Sequence, residues 1–154
     1  MVDPQRDIDR VITVAGRLNA RIVLVLKTHV HNDYPSGGLE PVRRTGAEYG
    51  FAAADEVPVE HRPLREGDVV EPSEHVWIQA VATPGHTYYH LPPVAHSCGQ
   101  PAAGGCVHRG ALLFGTTGRT DLLGEEHKPE PARQQYDSVR NPAETLPDGV
   151  GALR

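Results

Sequence analysis

Ile8, Val11, Ile12, Ala15 and Leu18 recur at three- and four-residue intervals in an otherwise polar stretch. That period lays an apolar stripe along a helix of roughly four turns. Asp3-Pro4 ahead of it reads as a cap with proline at the first helical position. The next apolar run, "IVLVL" at 22–26, is continuous, β-branched and too short for a core helix, which predicts a strand buried on both faces. Residues 36–45 carry weak helical character, interrupted by Pro41 and stopped by Gly46. "AEYGFAA" at 47–53 is a short strand candidate, and "PLREGDVV" at 63–70 reads as a turn at Glu66-Gly67 entering a strand. At 75–84 the pattern alternates, with Val76, Ile78 and Ala80 on one face and Trp77, Gln79 and Val81 on the other. That strand delivers "TPGHT" at its end. Residues 91–108, crowded with Pro and Gly, follow neither period and read as a long loop. "GALLF" at 110–114 predicts a further short strand. In 130–140, Ala132, Tyr136 and Val139 share a helical face, with the helix ending before Pro142.

Strands alternating with helices make this an α/β chain, and its 154 residues fit one domain, 1–154, with no internal repeat. Aromatics are only 5%, so the expected core is Val, Leu, Ile and Ala. A net charge of −5 with mixed signs excludes a basic nucleic-acid face. No apolar run approaches the ~18 residues of a membrane span, and the charged opening "DPQRDIDR" is unlike a signal peptide. Two cysteines make no disulfide framework, so a cytoplasmic protein is expected. Cys98 and Cys106, with His96 and His108 beside them, have no standard zinc spacing and read as chance.

Nine histidines change the picture. His29, His31 and Asp33 fall at alternate positions in "KTHVHND", just past the carboxyl end of the first predicted strand. Ligands bind at such strand ends in open α/β sheets, and an extended segment points alternate side chains the same way. Imidazole suits zinc, iron and similar ions, and a carboxylate either ligates or acts as a base. His86 ends another predicted strand, and Gly85 before it permits a sharp turn. The two clusters are expected to converge on one ion at one rim of the sheet. His90 and His96 are given no ligand role.

"VDPQRDIDR", "KTHVHNDYPSGG", "TGAEYGFAA", "HRPLREGD", "ATPGHT" and "TTGRTDLLG" resemble the metallo-β-lactamase fold, in its persulfide dioxygenase and glyoxalase II-like branch. The likeness runs through about residues 2–90 and resumes at 110–149; residues 91–108 are unmatched. It implies an αββα sandwich, here partial, with a metal site at a sheet edge. It also implies either thioester hydrolysis or oxidation of glutathione persulfide at a mononuclear iron. The small-molecule substrate would then be a glutathione-like thiol, persulfide or thioester. Arg119 in "GRTD" matches an arginine near the active-site mouth and is a candidate for a substrate carboxylate; a loop-structuring pair with Asp121 is the alternative.

The chain departs from the family's pattern at three ligand positions. The last histidine of the first motif is Tyr34, a later carboxylate falls on Gly110, and a final histidine beyond "LPDGV" has no counterpart. The family's opening strands have none either, so an exposed sheet edge is expected, covered by a partner or a second copy. A two-ion hydrolase site fits these departures poorly. Two readings of a one-ion site stay open. One is iron on His29 and His86, with Asp33, His31 or His108 supplying the third position. The other is zinc on His29, His31 and His86, with Asp33 orienting or deprotonating a water of pKa about 7. A relative without activity, limited to metal binding or interaction, is the alternative of a different class.

Overall fold

The computed structural model describes residues 1–30, 36–98, 105–107, 112–113, 116–121, 129–145 and 151–153. In chain order the elements are α1 (Ile8–Arg17), β1 (Leu24–Leu26), α2 (Leu39–Thr45), β2 (Glu48–Ala52), β3 (Arg62–Leu64), β4 (Val69–Ser73) and β5 (Val76–Ala80). They continue with β6 (Pro93–Ser97), β7 (Gly105–Val107), β8 (Leu112–Leu113), β9 (Thr116–Thr117), α3 (Pro129–Thr145) and β10 (Gly151–Leu153). One sheet is parallel, in the order β1-β2-β3. A five-stranded sheet runs β10-β7-β6-β5-β4, and β8 pairs with β9.

The continuous apolar run at 22–26 is explained by two cores on opposite faces of the first sheet. Leu24 and Leu26 join Ala52 and Leu64 with Val70 and Ala80 of the second sheet, and Leu91, in the layer between sheets. Val25, between them in sequence, points the other way into Ala47, Tyr49 and Phe51, against Leu39 and Val42 of α2. This is the sandwich expected from the motifs, and its outer core does use aromatics. Gly46 ends α2 in the left-handed region, at φ 70°.

Other sequence expectations also need correction: the first helix has ten residues, Ile8–Arg17, and Leu18 lies beyond it, 72% exposed. Asp3-Pro4 does not cap α1: Val2 pairs with Leu26 beside β1, Asp3 lies at φ 42°, and Asp7 precedes the first helical residue, Ile8. The Asp3 carboxylate bonds across the fold instead of to its own helix. Residues 91–108 are not all loop, because Pro93–Ser97 pairs antiparallel with β5 and Val94 is fully buried. Helix α3 does not stop before Pro142 but runs on to Thr145, with Pro142 in its last turn. Its inward face also differs: Tyr136 is 66% exposed, whereas Pro131, Gln135 and Ser138 are buried. The surface it meets is the backbone of a tight turn, and small or hydrogen-bonding side chains fit there where a phenol does not. Ser138 Oγ donates to the Pro84 carbonyl at 2.7 Å.

Candidate metal centre

Two loops at the tips of the two sheets build the site. The first follows β1 and carries Thr28 and His29. The second, between β5 and β6, carries "TPGHTYYH". This second loop continues the β5–β6 ladder: Val81 N–H donates to the Pro92 carbonyl at 3.1 Å, and Thr83 N–H to the His90 carbonyl at 2.9 Å. Leu91 N–H then donates to the Thr28 carbonyl at 2.8 Å, which ties one tip to the other. Gly85 turns the loop at φ 133°, and a side chain there would collide with the backbone of Gln135.

The result is a close trio of imidazoles. His29 and His86, 57 positions apart in the chain, lie with ring centroids 5.0 Å apart, edge to face. His90 lies 5.2 Å from His29 and 6.3 Å from His86. All three are buried. In each, Nδ1 is turned to a group outside the trio: Thr28 Oγ1 at 2.8 Å for His29, the Arg119 carbonyl at 3.2 Å for His86, and Thr83 Oγ1 at 2.6 Å for His90. A carbonyl only accepts, so His86 carries its proton on Nδ1 and a lone pair on Nε2. The Nε2 atoms of both His29 and His86 are buried.

Burial, reinforced by His90, lowers the His29 pKa from 6.5 to about 3; the Asp3 carboxylate opposes the shift, and His86 and Lys27 add to it. His29 is therefore a neutral imidazole at pH 7, the form that ligates metals. This donor set suits a borderline transition ion, as His-rich sites do. His31 and Asp33, the other expected ligands, lie outside the described residues, as do Tyr34, His108 and Gly110. Among the described residues, no group of three or more His, Cys, Asp or Glu side chains is arranged to hold an ion. The described part of the centre is thus the His29–His86 pair.

Arg119 is divided between two roles. Its backbone carbonyl orients His86, while its guanidinium, 68% exposed, grips Asp121 through Nε at 2.8 Å and Nη2 at 3.0 Å. Sequence reasoning did not anticipate that Asp3, Thr28 and Thr83 bond around these rings, or that His90 packs against them. A signal did exist in two of them: a threonine directly before His29, and His90 four positions after His86 across a turn. Beside His90 a cavity of about 400 Å³ opens between Ala52, Leu64, Arg65, Ala82, Tyr88 and Leu91.

No protein-family model matches the chain. A hydroxyacylglutathione hydrolase of Trichormus variabilis is 30% identical over 130 residues, which cover 75% of this chain and 49% of that protein. The crystal structure of ETHE1 from Myxococcus xanthus matches 99% of this chain and 62% of that one, with 27% identity and a TM-score of 0.80. A metallo-β-lactamase from Staphylococcus aureus matches 98% of this chain and 47% of that one, at 22% identity and a TM-score of 0.86. The chain spans about half the length of the hydrolase it resembles. With the sandwich, the joined sheet tips and the paired histidines already in place, these likenesses decide the family: the chain belongs to the metallo-β-lactamase-fold superfamily, in the branch of glyoxalase II and ETHE1.

Proposed function

We propose that this protein is a metal-dependent enzyme acting on a glutathione-like sulfur substrate, with hydrolysis of a glutathione thioester as its reaction. The observation that carries this reading is the convergence of His29 and His86, with Nδ1 of each turned outward and Nε2 buried at the junction of two sheets. His29 and His86 would hold one zinc or iron ion through Nε2, and His31 is proposed to complete its shell. When bound, the ion supplies Lewis acidity toward a carbonyl and an acidified water. Asp33 is proposed as the base that orients and deprotonates that water. Arg119 is proposed to meet a substrate carboxylate, exchanging part of its pairing with Asp121. The cavity beside His90, largely apolar, is of a size to take the acyl end of the thioester.

The name of the Trichormus relative favours hydrolysis, and the likeness to ETHE1 keeps persulfide oxidation as the second reading. Metal analysis of the purified protein beside His29→Ala and His86→Ala tests the site: one ion per chain is expected in the wild type and none in either variant. Loss of thiol ester absorbance from a glutathione thioester, against oxygen uptake with glutathione persulfide, separates the reactions. Metal-loaded protein that turns over neither substrate overturns the proposed activity. Arg119→Ala is expected to raise KM about tenfold with metal content unchanged, as loss of one charge-assisted contact of roughly 1.4 kcal/mol does.

A further inference from the structure

The Asp3 carboxylate is almost wholly enclosed, 1% exposed, and lies 25 positions before the residue it serves. Its Oδ1 accepts from Lys27 Nζ at 3.0 Å and from the Thr28 backbone N–H at 3.1 Å. Its Oδ2 lies 2.6 Å from Thr28 Oγ1, and that same oxygen lies 2.8 Å from His29 Nδ1. Thr28 is fully buried and His29 nearly so.

A threonine hydroxyl has one proton to donate. A carboxylate beside an ammonium group only accepts, so the Thr28 proton goes to Asp3. Thr28 Oγ1 can then only accept from His29, and the proton between them belongs to Nδ1. We propose that Asp3 and Thr28 act as positioning residues, a directional hydrogen-bond relay that holds His29 in the Nδ1–H form and turns its Nε2 lone pair toward the metal. The relay rests on the metal-centre reading above. It reaches the same end as the Arg119 carbonyl does for His86, by a different device. Outer groups of this kind, which fix the ring and its tautomer, commonly change metal affinity when removed.

The backbone holds the relay in register. Asp3 occupies φ 42°, a region that few residues other than glycine adopt, and its own N–H donates to the Leu26 carbonyl at 2.9 Å. Met1 and Val2 run beside β1, with Leu26 N–H donating to the Met1 carbonyl at 2.9 Å. The start of the described chain is thereby built into the metal centre.

The test is the protonation pattern of the His29 ring in full-length, metal-free protein labelled with ¹⁵N-histidine. Long-range ¹H–¹⁵N correlation spectra distinguish the protonated nitrogen from the bare one, and the His29 signals are those missing in His29→Gln. In the wild type, Nδ1 is expected to be protonated and Nε2 bare. Thr28→Val is expected to mix or reverse this pattern in His29 while leaving His86 unchanged, and to weaken zinc binding about 10–100-fold. Thr28→Ser restores the hydroxyl and is expected to recover both the pattern and the affinity. A wild-type ring with bare Nδ1 overturns the relay, even should the valine variant fail to fold. A valine variant with wild-type pattern and affinity overturns it too. The spectrum requires no turnover, so a failure of the proposed reaction is read separately from a failure of the relay.

Discussion

Single residues at the candidate centre are coupled to stability as well as to the proposed chemistry. Asp3 and Lys27 form an ion pair whose side chains are 0% and 6% exposed. Removing one member of a buried pair leaves a charge taken out of water with less to offset it, so Asp3→Ala is expected to lower stability by about 3–5 kcal/mol. Urea unfolding checks this as a fall in midpoint at constant m value. His29 adds a pH dependence. Folding of the metal-free protein lowers its pKa from 6.5 to about 3, so between those values the unfolded chain binds one more proton. The contribution is complete above pH 6.5 and is lost as pH falls toward 3, with a slope near 1.4 kcal/mol per pH unit. Denaturant midpoints at pH 7 and pH 5 are expected to differ more in the wild type than in His29→Gln. At this scale the convergence of His29 and His86 was legible, since "THVH" and "TPGHT" each follow a strand pattern. Asp3 was not: Asp-Pro before an amphipathic run satisfies every local rule for a helix cap, and only the pairing of Val2 with Leu26 turns its carboxylate to Thr28.

Elements act on the site through a close approach of backbone. Helix α3 presses on the turn that bears His86: a methyl group on Gly85 would lie 2.5 Å from the Gln135 nitrogen. Gly85 also holds φ 133°, so Gly85→Ala combines overpacking with backbone strain, and a loss of roughly 3 kcal/mol is expected. The same variant should weaken zinc binding, because the helix can yield only by moving the loop. Thermal melts and zinc titrations of the variant check both effects. The strands 24–26, 48–52 and 76–80 were legible from run length and alternation. Strand β6 was not, because "LPPVAHS" opens with two prolines that mask its pairing with β5. Pro92 nonetheless keeps a carbonyl, and it receives the Val81 N–H. The inward face of α3 was also misjudged, since an apolar count favours Tyr136, whereas contact with a turn favours Gln135 and Ser138.

Among the described residues the two larger sheets are bridged at their tips, so an ion gripped by both tips should brace one sheet against the other. At free zinc a hundred times its Kd, the gain is about 2.7 kcal/mol, which raises Tm by about 5–10 °C for a domain of this size. Differential scanning calorimetry with and without a chelator checks it, and His86→Ala should abolish the difference. The sandwich class was legible from the motifs, yet the joining contact from Leu91 to Thr28 was not, because no local pattern encodes a bond between two loops. Among the described residues, no helix is long and apolar enough to cross a membrane. The molecule also carries its own optical reporter. Its single tryptophan, Trp77 on β5, stacks flat on His96 of β6, with centroids 5.1 Å apart and planes within 4°. Parting of β5 and β6 would unstack the indole and expose it to water, which should redden the fluorescence. Zinc titration at the His29–His86 pair can therefore be followed alongside a separate luminescent gauge of the larger sheet, with no dye or label attached.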